Sequence, residues 1–259
     1  MLENTFVHVP GIGPQTERSL WKQGILTWRD ALECACPVGF SEDRWSGSCE
    51  QIEQSQRCLD RLDHRYFARV LAASEQWRAW RVFRRKVAYL DIETTGCSGN
   101  ARVTVVGIYD GVRTSSFVAG DNLDQFPEVV EQYAMLVTFN GSSFDLPFLR
   151  RRFPDLHFHQ LHMDLMHTLR RLGLQGGLKA IEREVGIERD DDLAHLGGWD
   201  AVRLWNEYRA GREASLETLI RYNAADIENL EHLAELAFGR LIGSAGLPTG
   251  DQMRIGALE

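Results

Sequence analysis

The sequence predicts an α/β protein in which helices flank a mixed β-sheet, with a small all-α region at the N-terminus. Up to residue 86, apolar residues recur at the three- and four-residue spacings of helices. From Val87 onward, short runs rich in β-branched and apolar residues alternate with helical segments. Helical segments between strands allow some strands to run parallel, while hairpins join others.

The N-terminal region is predicted to be helical throughout. Residues 1–36 contain a turn rich in glycine and proline between two short helical stretches. Residues 37–85 are predicted to form a helical connector with apolar residues on one side and arginines on the other. The segment 57–86 is basic, since it holds nine basic and three acidic side chains.

The later elements follow in order along the chain. The predicted strands are 87–93, 103–109, 112–118, 135–139 and 156–163. The predicted helices are 126–134, 144–152 and, within a mostly helical part that begins at Leu165, a long final helix over 215–241. The residues that follow, 242–259, are predicted to be a C-terminal tail.

The composition is that of a soluble globular protein. Of the 259 residues, 44% are hydrophobic and 25% are charged, which excludes a mainly disordered chain, a collagen-like fibre and a small disulfide scaffold. No apolar run approaches the roughly 20 residues of a membrane helix, and the first residues lack the pattern of a signal peptide. We therefore expect a cytoplasmic protein whose five cysteines are thiols.

The charge is distributed unevenly. The net charge of −8 argues at first against a polyanionic partner. Residues 1–86 nevertheless carry 13 basic and 11 acidic side chains, whereas residues 87–259 carry 16 and 26. Because the field at a surface depends on local clustering, the basic connector fits either a contact with nucleic acid or a solvated helix face.

Two carboxylates end the first predicted strand, in the run Asp91-Ile92-Glu93-Thr94-Thr95-Gly96. Residues two apart on a strand point to the same face, so Asp91 and Glu93 lie side by side. Like charges placed in this way repel each other unless a cation neutralises them. The alternative is a strand end that reaches solvent, where both carboxylates are hydrated.

Two further motifs carry carboxylates. The run Asn140-Gly-Ser-Ser-Phe144-Asp145 follows a predicted buried strand and opens a helix. The alternative role for Asp145 is to cap that helix. In Tyr222-Asn-Ala-Ala-Asp226, the tyrosine and the aspartate share one face of the final helix, and the alternative is an ordinary surface pair.

Taken together and in this order, the three motifs resemble those of the DEDDy branch of the 3′–5′ exonucleases, which have the ribonuclease H-like fold. The pattern of that branch is Asp-x-Glu, then Asn-x-x-x-Phe-Asp, then Tyr-x-x-x-Asp, and the chain matches every position. The runs Gly177-Leu-Lys-Ala-Ile181 and Trp199-Asp-Ala-Val202 resemble the YprB-like group within it. The resemblance covers residues 86–241 and implies a metal-dependent enzyme that hydrolyses phosphodiester bonds.

The resemblance also implies a role for each motif residue. The catalytic set is Asp91, Glu93, Asp145, Tyr222 and Asp226. Its four carboxylates would bind two divalent ions, Mg²⁺ or Mn²⁺, which prefer carboxylate oxygens. Asp91 would bridge both ions, Glu93 and Asp226 would hold the ion that carries the nucleophilic water, and Asp145 would help to hold the second. Tyr222 would orient that water through its hydroxyl.

Other residues are candidates for binding substrate. Thr94 and Thr95 could contact the terminal nucleotide, and Asn140 could fix the sugar or backbone. Lys179 is a candidate for a phosphate contact, and the alternative is a solvated helix lysine. A second metal site is not predicted, because two groups of residues lack the usual spacing of zinc ligands: His157, His159, His162 and His167, and Cys34, Cys36, Cys49 and Cys58.

The N-terminal run Val9-Pro-Gly-Ile-Gly-Pro-Gln-Thr16 resembles a helix-hairpin-helix motif of DNA-binding proteins. Gly11 and Gly13 permit a tight turn and close backbone approach, and amides at a helix N-terminus can bind a phosphate. Such contacts do not depend on base sequence. The alternative is an ordinary Gly-Pro turn between helices.

The sequence therefore predicts a 3′–5′ exonuclease that acts on DNA, at single-stranded 3′ ends, and releases mononucleotides. The N-terminal motif favours DNA over RNA, and its pairing with a nuclease domain favours a role in DNA repair. Two alternatives are open: an exonuclease that trims RNA 3′ ends, and a catalytically inactive DNA-binding or adaptor protein. The sequence indicates no particular protein partner and no membrane contact.

Overall fold

The structure, a computed structural model, describes residues 2–247. The chain clusters into two compact units. One is made of the residues up to Arg84 and those from Phe238 onward, and the other of Arg85–Ala237. The final helix runs to Ala245, so residues 242–245, predicted to begin the tail, are helical. The rest of that prediction, from residue 248, lies outside the described residues.

The N-terminal unit is all-α, as predicted. Thr27 begins one of its helices with a capping box, because its hydroxyl accepts a hydrogen bond from the amide of Asp30 while the Asp30 carboxylate accepts one from the amide of Thr27. The α-helices are α1 (Pro14–Lys22), α2 (Trp28–Glu33), α3 (Glu42–Asp60), α4 (His64–Val70) and α5 (Trp80–Phe83). Short 3₁₀ helices span Leu2–Asn4, Ala73–Ala79 and Arg84–Lys86.

A buried ion pair lies inside this unit. Arg78 and Glu17 are 3% and 1% exposed, and Arg78 Nη2 lies 3.1 Å from Glu17 Oε2. Glu17 Oε1 also accepts hydrogen bonds from the amides of Phe6 and Val7. The carboxylate therefore fixes the chain that leads into the Gly-Pro turn.

The second unit contains a five-stranded mixed sheet, which confirms the predicted fold class. Its strands are β1 (Val87–Thr94), β2 (Val103–Tyr109), β3 (Thr114–Val118), β4 (Met135–Thr138) and β5 (Leu161–Asp164). Their order is β3-β2-β1-β4-β5. The pairs β1–β2 and β2–β3 are antiparallel, whereas β1–β4 and β4–β5 are parallel. β1 therefore lies at the centre of the sheet, between an antiparallel neighbour and a parallel one.

Helices cover both faces of the sheet. They are α6 (Phe126–Val130), α7 (Asp145–Arg152), α8 (Leu165–Arg170), α9 (Leu178–Val185), α10 (Asp191–Ala194), α11 (Gly198–Arg209) and α12 (Glu213–Ala245). On one face, Leu90 of β1 shares a core with Phe126 of α6 and Leu149 of α7. On the other face, Val105 of β2 shares a core with Leu219 of α12.

Three predicted elements are longer than the observed ones by two residues or more. β3 begins at Thr114 because the Asp110 carboxylate accepts hydrogen bonds from the amides of Val112 and Arg113 and holds them in a turn. Helix α6 ends at Val130 rather than at residue 134. The strand predicted over 156–163 is β5, which pairs with β4 only from Leu161.

Among residues 2–247, no helix combines the length and the apolar character needed to cross a membrane.

We expect Arg78→Met to destabilise the protein by about 3–5 kcal/mol, because it leaves the buried Glu17 carboxylate without its charged partner. The midpoint of urea unfolding measures this loss. Arg81→Met is the control, because Arg81 is exposed on the same segment. Equal midpoints for the two variants would show that the buried pair contributes no more than a surface arginine.

Candidate active site

The acidic residues of β1 and α12 converge. Asp91 and Glu93 are two residues apart on β1 and point to the face that α12 covers. One carboxylate oxygen each from Asp91, Glu93 and Asp226 lies within 4.8 Å of the other two. Glu93 and Asp226 are buried, and Asp91 is half-buried. Three of the four predicted metal-binding carboxylates thus form one group.

The electrostatics of this group are unfavourable without a cation. Burial is the largest cause that raises the pKa of Asp91 and of Glu93 well above the usual range. Neighbouring carboxylates raise both pKa values further. The pKa of Asp91 is raised by the charges of Asp145, Glu93 and Asp226. The pKa of Glu93 is raised chiefly by the charge of Asp226. Keeping these groups ionised at neutral pH therefore requires positive charge nearby.

The residues fit a hard divalent cation. Glu93 Oε1 is buried and accepts no hydrogen bond from any residue within 2–247, so an acceptor is left free inside the group. All three donors are carboxylate oxygens, which Mg²⁺ and Mn²⁺ prefer over softer ligands. A divalent ion would satisfy the free oxygen and offset the repulsion together.

Asp145 lies next to this group but is held differently. It is 2% exposed, and its Oδ1 accepts a hydrogen bond of 3.1 Å from the amide of Ile92, between the two β1 carboxylates. Burial raises the pKa of Asp145 to about 7. Its charge acts on Asp91, although its oxygens are not within the 4.8 Å group.

An arginine that the sequence analysis did not single out neutralises part of the site. Arg189 is 4% exposed and forms an ion pair through Nη1 with Asp226 Oδ1. Its other nitrogens donate two hydrogen bonds of 2.6 Å to the carboxylate of Glu182 on α9, which is itself buried. Arg189 therefore fixes Asp226 from the side of α9 and lowers its pKa against the effect of burial.

A second residue that was not singled out is Asn223, next to Tyr222 on α12. Its side chain is fully buried, and Nδ2 donates a hydrogen bond of 3.0 Å to Asp91 Oδ2. Gly107 of β2 lies opposite Asp91 in the ladder and faces Asn223. A Cβ atom at Gly107 would lie 1.9 Å from Asn223 Oδ1, so only glycine leaves room for this amide.

The carboxylates open into a cavity of about 400 Å³. The wall includes the buried ring of Tyr222, with Phe144 and Trp199 among the other lining residues. Burial raises the pKa of the Tyr222 hydroxyl, which therefore stays protonated at neutral pH. A protonated phenol can donate a hydrogen bond but cannot act as a base.

The predicted substrate-binding residues have different positions. Thr94 lines the cavity. Thr95 is exposed, and its hydroxyl accepts a hydrogen bond from the amide of Arg102. Asn140 has a φ of +65° and its amide donates to Asp164 Oδ1, which fixes the loop that leads to Asp145. Neither Thr95 nor Asn140 lines the cavity.

The amino group of Lys179 is hydrogen-bonded within the protein. Its Nζ donates hydrogen bonds to the carbonyls of Leu193 and Ala194, at 3.2 and 3.5 Å, and to that of Leu196. The same nitrogen lies 4.8 Å from the centre of the Tyr222 ring. Lys179 thus links the 193–196 segment to the tyrosine. Gly11 and Gly13 belong to the N-terminal unit.

The histidines and cysteines do not form a comparable group. His162 Nε2 is hydrogen-bonded to the hydroxyl of Thr138, and burial lowers its pKa to about 4. All five cysteines are free thiols. Within the described part of the chain, only Asp91, Glu93 and Asp226 bring three ligand atoms of His, Cys, Asp or Glu within 4.8 Å of one another.

Comparison with known proteins identifies the family. Residues 88–238, more than half of the chain, match the family model of the RNase_H superfamily. The chain belongs to the RNase_H superfamily.

Other comparisons are more distant. No curated protein matches the sequence. Among solved structures, the family B DNA polymerase from the hyperthermophilic archaeon Pyrobaculum calidifontis is similar, with 18% sequence identity and a TM-score of 0.46. The match covers 60% of this chain and 24% of the polymerase.

We expect Gly107→Ala to lower the affinity for Mn²⁺ about 10- to 100-fold, the range typical when a partner of a metal-binding side chain is removed. The added methyl group would displace Asn223 from Asp91. Isothermal titration calorimetry with Mn²⁺ measures the affinity. Gly99→Ala is the control, because a Cβ atom there meets open space.

A double variant separates crowding from positioning. Gly107→Ala combined with Asn223→Ala removes the closest contact and leaves only the flexible end of Ile227 at 2.9 Å. The free energy of unfolding should therefore recover in part relative to Gly107→Ala, while the Mn²⁺ affinity stays low. Full Mn²⁺ affinity in either variant would contradict the role assigned to Asn223.

Proposed function

We propose that this protein is a metal-dependent 3′–5′ exonuclease of the DEDDy type that hydrolyses phosphodiester bonds of DNA, at single-stranded 3′ ends. The observation that carries the proposal is the group formed by Asp91, Glu93 and Asp226, which opens into the same cavity as Tyr222. The order of the three motifs along the chain supports the choice of this branch within the superfamily.

The four carboxylates would hold two divalent ions, with Asp91 shared between them. When bound, such ions supply the positive charge that makes water nucleophilic at neutral pH and stabilises the leaving oxygen. Burial raises the pKa of Asp145 to about 7, so a nearby cation would readily keep this carboxyl group ionised at neutral pH.

The other residues of the site orient these groups. Asn223 holds one oxygen of Asp91, and Arg189 holds one oxygen of Asp226, so the free oxygens face the cavity. Tyr222 keeps its proton and would donate a hydrogen bond that orients the attacking water. The tyrosine is a positioning group in this scheme, and no step requires its deprotonation.

The size of the cavity supports cleavage at a chain end. About 400 Å³ is within the range for pockets that enclose one small ligand. A single terminal nucleotide is of that class, whereas an internal segment would have to leave the cavity on both sides.

The N-terminal unit supports DNA as the substrate. Helix α1 begins directly after Gly13, and the amides of a first helical turn lack partners within the helix. Arg44 Nη2 donates a hydrogen bond of 2.6 Å to the carbonyl of Gly11, which places a guanidinium group beside the turn. Amides and positive charge together suit a phosphate of a DNA backbone.

Cleavage of labelled oligonucleotides tests the proposal. With Mg²⁺ or Mn²⁺, 3′-labelled single-stranded DNA should lose its label first while the 5′-labelled strand forms a ladder, and matched RNA should be cleaved more slowly. Asp91→Asn should lower the rate more than about 100-fold, since it alters a direct metal ligand. Faster cleavage of RNA would make the protein an RNA-trimming enzyme, and binding of DNA with no cleavage would make it an inactive DNA-binding protein.

We expect Gly13→Asp to weaken DNA binding several-fold without loss of thermal stability. The φ of Gly13 is −91° and a Cβ atom meets open space, so aspartate fits and becomes a favourable helix cap. Its carboxylate would then occupy the amides that otherwise bind a phosphate. Fluorescence anisotropy with labelled DNA measures the affinity.

Gly47→Asp is the matched control for that variant. It adds the same charge to an exposed position of α3, where a Cβ atom also meets open space. Equal affinities for the two variants would show that the turn at Gly11 and Gly13 does not contact DNA.

A further inference from the structure

An exposed tryptophan stands at the mouth of the active-site cavity. Trp199, on the first turn of α11, is 78% exposed. The other six tryptophans of the chain are at most 9% exposed. Among the large hydrophobic side chains that are exposed in the described chain, Trp199 is the only aromatic one. Leaving an indole in water forgoes the gain of burying a large apolar surface, so its position requires an explanation.

Trp199 forms a wall shared by two cavities. One is the cavity of Asp91, Glu93 and Tyr222. The other, of about 540 Å³, lies along the outer side of α11 and is lined by Trp199, Val202, Arg203, Asn206, Glu207, Ala210 and Arg212. Phe144 also lines the first cavity, and its ring packs on that of Phe148 with the ring centres 4.8 Å apart. Aromatic side chains from two separate segments of the chain therefore line this cavity.

The local chemistry favours a base over a phosphate as the ligand of Trp199. The carboxylate of Asp200 accepts a hydrogen bond of 2.9 Å from the amide of Gly197, which fixes this carboxylate at the start of α11. Asp200 also places negative charge beside the indole. A phosphate would be repelled there, whereas the face of a nucleobase is uncharged and stacks on aromatic rings.

The outer cavity has room for the nucleic-acid strand that continues beyond a base bound at Trp199. Arg203 and Arg212 line it with side chains that are 54% and 70% exposed. Both also pair with Glu207, and Arg203 pairs with Asp200, so their charge is only partly available for phosphates. Base stacking on Trp199 is therefore the specific contact, and the arginines add a weaker electrostatic one.

We propose that Trp199 is a stacking platform for an unpaired nucleobase next to the cleaved bond, and that it makes the enzyme selective for single-stranded ends. The proposal rests on the proposed nuclease function of the same cavity. A paired base is held in the plane of its partner and inside the stack, whereas an unpaired terminal base is free to rotate and lay one face on the indole.

The test compares two single-stranded DNA oligomers that differ only in whether the 3′-terminal nucleotide carries a base. Binding is measured by fluorescence anisotropy with Mg²⁺ in the Asp91→Asn background, so that no strand is consumed. We expect Trp199→Ala to weaken binding of the normal oligomer about 5- to 150-fold and to leave binding of the abasic oligomer unchanged. Trp199→Phe should retain most of the affinity, because it keeps an aromatic face.

Val112→Ala is the control, since it removes an apolar side chain that is 85% exposed on the turn between β2 and β3. Equal losses for normal and abasic oligomers in Trp199→Ala, or no loss for either, would overturn the proposal. Cleavage by the wild-type chain separates the two hypotheses. If Trp199→Ala loses affinity only for the normal oligomer and the wild-type chain cleaves neither DNA nor RNA, the stacking site stands and the proposed function is wrong. If the wild-type chain cleaves DNA but Trp199→Ala loses no base-dependent affinity, the function stands and the stacking site is wrong.

Discussion

Repulsion among buried carboxylates is the constraint on which the rest of the Arg85–Ala237 unit depends. Three carboxylate oxygens lie within 4.8 Å of one another, and the pKa values of all three groups are raised. Two cations, Arg189 and Lys179, and the amide of Asn223 offset part of this repulsion. Glu93 Oε1 is nevertheless buried without a hydrogen-bond partner in the described chain. The remaining charge requirement is what a divalent cation meets.

The position of β1 explains how these groups are brought together. β1 lies in the middle of the sheet, antiparallel to β2 and parallel to β4. Its Ile92 amide donates a hydrogen bond to Asp145, while the carboxylate of Asp91 accepts one from Asn223 of α12. One central strand thus holds carboxylates of its own and one from the start of α7, and Gly107 on the neighbouring strand leaves room for Asn223 of α12.

Much of this could be predicted from the sequence, and the rest depends on contacts that no local pattern encodes. The predicted bounds of β2 match to the residue because four of its first six residues are valine or isoleucine and a turn follows it, whereas the predicted β5 is too long because Leu156 and its neighbours alternate without pairing. Arg189 was missed because its partners, Glu182 and Asp226, are brought to it only by tertiary packing. Gly107 did leave a signal, since a glycine inside a β-branched strand often marks a close approach.

Diffraction from crystals soaked in Mn²⁺ would show whether a divalent cation binds these carboxylates. Anomalous scattering locates manganese without any assumption about activity. We expect anomalous peaks at coordination distance from oxygens of Asp91, Glu93 and Asp226, with Arg189 still paired to Asp226, and weaker peaks in crystals of Asp91→Asn. Ordered carboxylates with no manganese between them, in crystals that bind Mn²⁺ elsewhere, would contradict a metal site here.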